Sequence, residues 1–207
     1  MQRLLNNPEH YVDDMLEGIY AAYPDRVTYV ENDPRCYVSK HKKEGKVGLM
    51  TGGGSGHLPL FLGYVGDGML DGCAIGGVFQ SPSAEQIANV TKAIDSGAGV
   101  LYVYGNYSGD IMNFEMAEEL VEFDDITCKH VVGNDDVASA PKGEEDKRRG
   151  VAGIYFVFKC AGAAADAMLP LDEVARITQK AADHVRTFGV ALSPTTIPEN
   201  GKANFEV

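Results

Sequence analysis

The segment KVGLMTGGGSGH (46–57) decides the fold, because a short apolar run in it leads directly into four glycines, a serine and a histidine. Glycine costs conformational entropy and is used where the backbone approaches another group closely or adopts positive φ. Four glycines in the five positions 52–56 are more than an ordinary turn requires. We therefore predict that this stretch forms one wall of a pocket for a small hydroxylated molecule.

Around this segment, short apolar runs alternate with longer amphipathic ones. The runs predicted as strands are VTYV (27–30), KVGLMT (46–51), GCAIGGVF (72–79), GVLYVY (99–104), ITCKHVVG (126–133) and a final strand and turn in GVALSPTTI (189–197). Repeated strand–loop–helix order predicts an α/β fold with a largely parallel sheet and helices on both faces.

Apolar residues at helical spacing predict the intervening helices. These helices are expected after PEH (8–10), after FQSPS (79–83), and over residues 111–123, 153–168 and 171–188. Two starts fit the second helix. Ser81 followed by Pro82 suits an N-cap and first-turn pair, whereas Ser83 and Gln86 suit a capping box.

The charge balance excludes several classes of partner. Of the 207 residues, 18 are Lys or Arg and 30 are Asp or Glu, which gives a formal net charge of −12. Nucleic acids and anionic membranes need a positive surface, so neither is expected as a partner. The sequence has no apolar run of the roughly 18 residues that a membrane span requires, and its first residues lack the apolar core of a signal peptide. We therefore expect a cytoplasmic protein.

The residues that bind metals most often show no metal-site spacing. Cys36, Cys73, Cys128 and Cys160 form no CxxC pair, so we expect buried, reduced thiols and no metal ligands. The polar run NDD (134–136) can either bind a cation or cap a loop. Its low ligand count favours capping.

Three loops follow predicted strands at the edge where α/β sheets bind ligands: TGGGSGH (51–57), FQSPS (79–83) and YGNYSGD (104–110). None of them contains GxxxxGK[ST], GxGxxG or GxSxG, so a P-loop, a dinucleotide fingerprint and a nucleophile elbow are excluded. They also contain no Lys or Arg. Since tight phosphate sites usually include a cation, we expect an uncharged, polar ligand.

His57 and Asp110 are the candidate reacting groups. Backbone amides of the glycines can donate hydrogen bonds to the ligand, while His57 supplies a base and Asp110 an acceptor. A hydroxyl held by both can lose its proton as it attacks, which is general base catalysis. The alternatives are that His57 bonds its own turn and that Asp110 is only a helix N-cap. Ser55 and Ser108 fit loop hydrogen bonding better than nucleophilic catalysis.

Several separate blocks, in this order, resemble the dihydroxyacetone kinase family, and specifically its DhaK-type substrate-binding subunit or domain. They are GLMTGGGSGH (48–57), GYVGDGML (63–70), FQSPS (79–83), GNYSGDIMNFEMA (105–117), VVGNDDVAS (131–139) and RRGVAG (148–153). The likeness runs from near residue 1 to the end. It implies phosphorylation of a terminal hydroxyl on a short-chain ketose, typically dihydroxyacetone.

The resemblance also implies cofactors, partners and site residues. The donor is ATP, or tightly held ADP that the phosphotransferase system recharges, bound with Mg²⁺ on a nucleotide-binding DhaL-type subunit or domain, so no cofactor is expected on this chain. Members tend to form homodimers. Family roles placed by motif position make His57 and Asp110 catalytic. The candidate substrate-binding residues are Gly54, Ser55, Gly56, His57, Phe79, Gly105 and Asp110.

Three departures limit the resemblance. Leu58 stands where the family has an acidic residue, and Gly105 stands where studied bacterial members have Lys. Both changes leave more room and favour a larger sugar, such as the four-carbon ketose erythrulose. The family also continues past NFEV (204–207) into a segment of the type GIHGEPG, whose histidine forms a covalent hemiaminal with the substrate.

Because that segment is missing, residues 1–207 are expected to form one ketose-binding domain, truncated before the covalent histidine. Such a chain would bind ketose weakly and would lack kinase activity alone. Two other functions fit the same pattern: a sugar-sensing coactivator without kinase activity, and an isolated binding domain.

Overall fold

A computed structural model describes residues 5–59, 61–203 and 205–206. Its strands are β1 (Val27–Val30), β2 (Asp33–Ser39), β3 (Gly48–Gly54), β4 (Gly72–Gly76), β5 (Val100–Gly105) and β6 (Cys128–Gly133). They form one sheet in the order β1-β2-β4-β3-β5-β6. Strands β4, β3, β5 and β6 are parallel, while β2 pairs antiparallel with both β1 and β4. The predicted α/β fold with a largely parallel sheet is confirmed.

Helices cover both faces of this sheet. They are α1 (Tyr11–Ala22), α2 (Ala84–Ile94), α3 (Ser108–Glu122), α4 (Ile154–Asp166) and α5 (Leu171–His184). Buried side chains of α1, α4 and α5 belong to one apolar cluster, and those of α2 and α3 belong to a second. Since β-strand side chains alternate between faces, the sheet separates the two clusters. Within the described residues, no helix is both long and apolar enough to cross a membrane.

Two parts of the strand prediction differ from the structure. Strand β2 was not predicted, because its first residues are Asp33, Pro34 and Arg35 and its buried residues occupy only positions 36–38. The strand predicted at 189–197 is wrong. Apart from an isolated bridge between Thr196 and Ala203, that segment is irregular, and its apolar residues Val190 and Leu192 face solvent, Leu192 being 90% exposed.

The start of α2 is set by a capping box. The Ser83 hydroxyl accepts a hydrogen bond from the Gln86 backbone amide at 3.2 Å, and Gln86 Oε1 accepts one from the Ser83 amide at 3.1 Å. The capping-box alternative is therefore confirmed, and the N-cap predicted at Ser81 is wrong. Ser81 stays outside the helix.

The four glycines at positions 52–54 and 56 do not form a turn. Strand β3 continues through Gly54, and a 3₁₀ turn follows at Ser55–His57. None of the four glycines adopts positive φ. Their role is close approach, because a Cβ on Gly53 would lie 2.7 Å from Cζ of Phe61, and one on Gly56 would lie 2.7 Å from Cε1 of Phe79.

The cysteine prediction holds for three of the four residues. Cys36, Cys73 and Cys128 are buried, and burial raises the pKa of each thiol. Cys160 is exposed on the outer side of α4, which contradicts the expectation that all four are buried. All four thiols are free.

Candidate functional site

A cavity of about 440 Å³ lies beyond the carboxyl ends of β3 and β5 and receives residues from all three predicted loops. Its lining residues are Gly54, His57, Phe61, Phe79, Gln80, Ser81, Tyr107, Asp110, Arg149, Thr195 and Phe205. His57 and Asp110, far apart in the sequence, are thus brought to one cavity. This is the position that parallel strand ends in an α/β sheet provide for a ligand.

The molecule has larger concave surfaces, but their chemistry suits a substrate less well. One of these, about 690 Å³, runs along α3 and is lined mainly by Glu115, Glu118, Glu119, Glu122 and Asp125. Carboxylates so close together repel one another and any anionic ligand. The cavity at the strand ends combines a base, a buried acid, hydroxyls and aromatic rings, so we take it as the functional site.

His57 reaches the cavity because the 3₁₀ turn ends β3 at its carboxyl end. The imidazole lies edge to face against Phe79, with ring centroids 5.4 Å apart, and against Phe61 at 6.1 Å. Loss of hydration against these rings lowers the pKa of His57. Within the described part of the chain, its ring nitrogens have no hydrogen-bond partner, so the alternative of local turn bonding is not observed. A neutral imidazole can therefore accept a proton from a ligand.

Asp110 lies in the first turn of α3 and is buried, with 7% of its surface exposed. Among the described residues, its Oδ1 has no hydrogen-bond partner. Loss of hydration raises the pKa of this carboxyl group, and the nearby Ser81 side chain opposes the shift. The N-cap of α3 is Tyr107, so the alternative that Asp110 is only an N-cap is wrong. A buried oxygen without a partner is costly, and a ligand hydroxyl would satisfy it.

The second loop is held against the start of α3. Asn113 Nδ2 donates a hydrogen bond to the carbonyl oxygen of Pro82 at 2.7 Å. Because α2 begins only after Ser83, the preceding residues Phe79, Gln80 and Ser81 are free to line the cavity. Phe79 thus lines the cavity, and its contact with a substrate stays a prediction.

Two of the predicted amide donors are already used by the fold. The Ser55 amide donates to the carbonyl oxygen of Gly77 at 2.9 Å, and the Gly56 amide donates to that of Val78 at 2.7 Å. The Ser55 hydroxyl donates to the carbonyl oxygen of Gly76 at 3.2 Å. Neither residue lines the cavity. Of the glycine-rich loop, Gly54 and His57 remain as candidate ligand contacts.

Gly105 does not provide the extra space that its sequence suggested. A Cβ at this position would lie 2.9 Å from Cε2 of Tyr107 and 3.0 Å from the carbonyl oxygen of Gly150. The tyrosine ring therefore occupies the room that a missing side chain would leave. The expectation that Gly105 enlarges the ligand space is contradicted, and Tyr107, not Gly105, lines the cavity.

Four lining residues lie outside the three predicted loops, namely Phe61, Arg149, Thr195 and Phe205. Arg149 comes from the charged loop after β6, so the cavity contains a cation although the three predicted loops contain none. The motif RRG (148–150) was the available signal, but nothing in it indicated that its second arginine reaches the strand ends. Thr195 and Phe205 lie in an irregular segment that gives no periodic signal.

The NDD run (134–136) caps loops, as its low ligand count favoured. Asn134 Nδ2 donates to the carbonyl oxygen of Glu145 at 3.0 Å. The buried Asp135 carboxylate accepts hydrogen bonds from the amides of Val151 and Gly153 and from the Thr187 hydroxyl. These bonds fix the loop that carries Arg149 against the start of α4.

Comparison with known proteins adds an independent observation. A family model described as the Dak1 domain matches residues 17–207. The chain is 46% identical over 207 residues to "PTS-dependent dihydroxyacetone kinase 1, dihydroxyacetone-binding subunit DhaK" of Listeria innocua, covering 100% of this chain and 63% of that relative. It is 45% identical over 199 residues to "D-erythrulose kinase" of Mycolicibacterium smegmatis, covering 96% of this chain and 34% of that relative. The chain thus spans less than two thirds of either relative.

The chain is also similar to solved structures of dihydroxyacetone kinase and of a related co-activator. The dihydroxyacetone kinase of C. freundii superposes with a TM-score of 0.89 at 34% identity, over 98% of this chain and 37% of that one. The same enzyme in complex with AMP-PNP and Mg²⁺ gives a TM-score of 0.80 at 32% identity, over 88% of this chain and 34% of that one. The "Dihydroxyacetone kinase operon co-activator Dha-DhaQ" gives 0.85 at 30% identity, over 95% of this chain and 59% of that one.

Proposed function

Because this chain belongs to the Dak1 domain family, we propose that it is the substrate-binding part of a kinase that phosphorylates a terminal hydroxyl of a short-chain ketose. The ketose is dihydroxyacetone or erythrulose, and relatives named for both sugars support this choice. One structural observation carries the proposal. The buried, unpartnered Oδ1 of Asp110 belongs to the same cavity as the His57 imidazole.

Asp110 and His57 have different roles at the ketose hydroxyl. Asp110 accepts a hydrogen bond from the ketose and so fixes its orientation. The His57 imidazole, kept neutral by its aromatic neighbours, accepts the hydroxyl proton while the oxygen attacks phosphorus. Gly54, Phe79 and Ser81 complete the walls. A cavity of about 440 Å³ has room for either a three-carbon or a four-carbon ketose.

The phosphoryl donor lies on another domain or subunit. ATP, or ADP with Mg²⁺, would be bound by a nucleotide-binding DhaL-type partner, which agrees with the lack of a P-loop and of a dinucleotide fingerprint in the sequence. Residues 1–207 act as one ketose-binding domain, and the active form is a homodimer in the cytoplasm. With its net charge of −12, the chain has no affinity for nucleic acid or anionic membrane.

Calorimetric titration of this chain with dihydroxyacetone, erythrulose and glycerol tests the proposal. We expect comparable binding of the two ketoses and weaker binding of glycerol. Asp110→Asn should weaken ketose binding about ten-fold, because it replaces a charged acceptor with a neutral one. Leu192→Ala, which changes an exposed side chain outside the cavity, is the matched control. Wild-type chain that binds neither ketose would contradict the proposal.

A sugar-sensing coactivator without kinase activity is the second candidate, supported by the likeness to the coactivator structure at a TM-score of 0.85. A measurement of ketose phosphorylation distinguishes the kinase from the coactivator. Phosphorylation of a ketose by a longer form of the protein, with a nucleotide-binding partner and a donor, would establish the kinase. Ketose binding without turnover under the same conditions would favour the coactivator.

A further inference from the structure

Arg149 lines the cavity, and neither the base nor the acceptor described above explains its presence there. We infer that Arg149 forms an anion subsite that binds the phosphoryl group as it reaches the ketose, and that the cavity therefore recognises the ketose phosphate product. The inference rests on the proposed function, because it concerns the same cavity. It adds a ligand class, a phosphate monoester, that a neutral sugar site would not bind.

The two adjacent arginines have different surroundings. Arg148 is buried, and its Nε donates a hydrogen bond to the carbonyl oxygen of Ala140 at 3.1 Å. Its Nη2 lies 3.9 Å from Oε1 of Glu145. The guanidinium of Arg149 is solvent-accessible and has neither a hydrogen bond nor an ion pair with any described residue. Arg148 thus stabilises the loop, and the guanidinium donors of Arg149 are available for a ligand.

The backbone of Arg149 is firmly held. Its amide donates to the Ser139 hydroxyl at 2.9 Å, and its carbonyl oxygen accepts from the Asp136 amide at 3.0 Å. One residue earlier, Asn106 Nδ2 donates to the carbonyl oxygen of Arg148 at 2.7 Å. Asn106 directly follows β5, so this bond ties the arginine loop to the strand end that leads to Asp110.

Gly150 lets the loop lie directly on the sheet. A Cβ there would be 2.6 Å from Cα of Gly105 and would overlap the carbonyl oxygen of Gly133. These two glycines are the last residues of β5 and β6. The loop therefore crosses the carboxyl ends of both strands, and Arg149 is placed at the cavity by the fold and not by the freedom of a surface side chain.

The charge of Arg149 favours the phosphorylated ketose over the neutral ketose as its ligand. Arg149 is the one Lys or Arg among the described lining residues, and its charge acts on Tyr107, opposing the rise in the pKa of that phenol. A neutral ketose gains little from a guanidinium. A phosphate monoester carries up to two negative charges and matches the two-pronged donor geometry of arginine. In a chain of net charge −12, this local cation offsets the general repulsion of anions.

The chemical step uses this subsite without altering the roles of the other groups. The ketose hydroxyl oxygen forms a bond to phosphorus, and the bond from phosphorus to the donor's bridging oxygen breaks. That oxygen leaves with the electron pair, and the hydroxyl proton passes to His57. Arg149 donates hydrogen bonds to the non-bridging oxygens, which retain their charge throughout the transfer.

The test compares the affinities of this chain for dihydroxyacetone and for dihydroxyacetone phosphate by calorimetry. Arg149→Met should weaken phosphate-ester binding about ten-fold, as expected for hydrogen bonds to a charged group, and leave dihydroxyacetone binding unchanged. Arg149→Lys should fall between, since it keeps the charge but loses the planar fork. Arg186→Met, at another exposed arginine outside the cavity, should match wild type. Raising the salt concentration should weaken only the phosphate-ester affinity.

The outcomes separate this inference from the proposed function. If Arg149→Met leaves phosphate-ester affinity unchanged, or lowers affinity for both ligands equally, the anion subsite is wrong while the ketose site stands. If wild-type chain binds neither ligand, the proposed function fails and this inference with it. Circular dichroism of each variant checks that the fold is intact, which the exposed position of both arginines favours.

Discussion

The phenyl ring of Phe61 occupies the space beside Gly53, where a Cβ would lie 2.7 Å from Cζ and closer still to Cε2. The same ring lies edge to face with His57 at a centroid distance of 6.1 Å. Strand β3, the phenyl ring and the imidazole are therefore in continuous contact. The missing side chain at position 53 fixes where this wall of the cavity stands, which explains the need for glycine here better than turn formation does.

Replacing Gly53 with Ala should force Phe61 away from the strand. We expect the free energy of unfolding to fall by about 1–3 kcal/mol, the usual cost of overpacking a core, and ketose affinity to fall with it. Gly18→Ala is the matched control, because a Cβ there meets nothing within 4 Å and the residue lies in α1. That control should gain about 0.5–1 kcal/mol from helix propensity. Urea unfolding measures both, and equal changes in the two variants would disprove the steric argument.

Asp110→Asn should stabilise the chain at neutral pH while weakening ketose binding. Burial raises the pKa of Asp110 above its value in the unfolded chain, so the folded state favours the protonated form. The free energy of unfolding of the wild-type protein therefore falls as the pH rises through the raised pKa of this carboxyl group. Asn does not titrate, so the variant shows no such loss. We expect the variant to gain about 1–3 kcal/mol in free energy of unfolding at pH 7, the cost of a buried group without a partner.

Urea unfolding of both proteins at neutral pH and at a pH below the ordinary carboxyl range measures this difference. The advantage of the Asn variant should shrink on acidification, because the wild-type carboxyl group then becomes neutral as well. A variant that is less stable than wild type at both pH values would show that the Asp110 carboxyl group stabilises the fold. It would contradict the view that this group is available to bind a ligand.

The three central strands that sequence reasoning found, β3, β4 and β5, are buried along nearly their whole length. Strand β5 is buried at all six positions and reads as a continuous apolar run. Strand β2 could not be found in this way, because its burial is confined to Cys36, Tyr37 and Val38 between polar ends. The opposite error at 189–197 has the same origin, since apolar residues such as Val190 and Leu192 are exposed there. Hydrophobicity predicts burial only where another element covers the chain.

The candidate site was predictable where it depends on local order and unpredictable where it depends on distant contacts. His57 and Asp110 each follow a buried strand, so the rule for parallel sheets placed both at one edge. Arg149 reaches that edge because distant residues hold its loop, among them Asn106 and Asp136 through hydrogen bonds. The amide of Gly56 was misjudged for a related reason. A sequence does not reveal that the carbonyl oxygen of Val78 already accepts from it.

The imidazole of His57 should titrate below the ordinary histidine range. Its aromatic neighbours disfavour the cation, so its pKa is lowered and the neutral base persists to a lower pH. In an NMR titration of the histidine ring protons, the resonance that disappears in His57→Gln should have a midpoint below the ordinary histidine pKa of about 6.5. Phe79→Ala should move that midpoint upward by restoring hydration. A midpoint at or above the ordinary histidine pKa in wild type would contradict the lowered pKa of His57.

Gly105→Lys should be poorly tolerated because the Tyr107 ring lies in its way. A Cβ at position 105 would be 2.9 Å from Cε2 of Tyr107, so any side chain there must displace a residue that lines the cavity. We expect a loss of about 1–3 kcal/mol in free energy of unfolding and weaker ketose binding. The double variant Gly105→Lys/Tyr107→Ala should recover part of the stability, because the two sites are in contact and their effects are not additive.

Gly189→Lys is the matched control for this experiment, since a Cβ there meets nothing within 4 Å and the residue is exposed. It adds the same charge and should leave both stability and ketose binding unchanged. Urea unfolding and calorimetry on all three variants decide the matter. If Gly105→Lys is as stable as Gly189→Lys and binds ketose like wild type, Tyr107 does not limit the space at this position, and the larger sugar pocket first inferred from Gly105 would regain its physical basis.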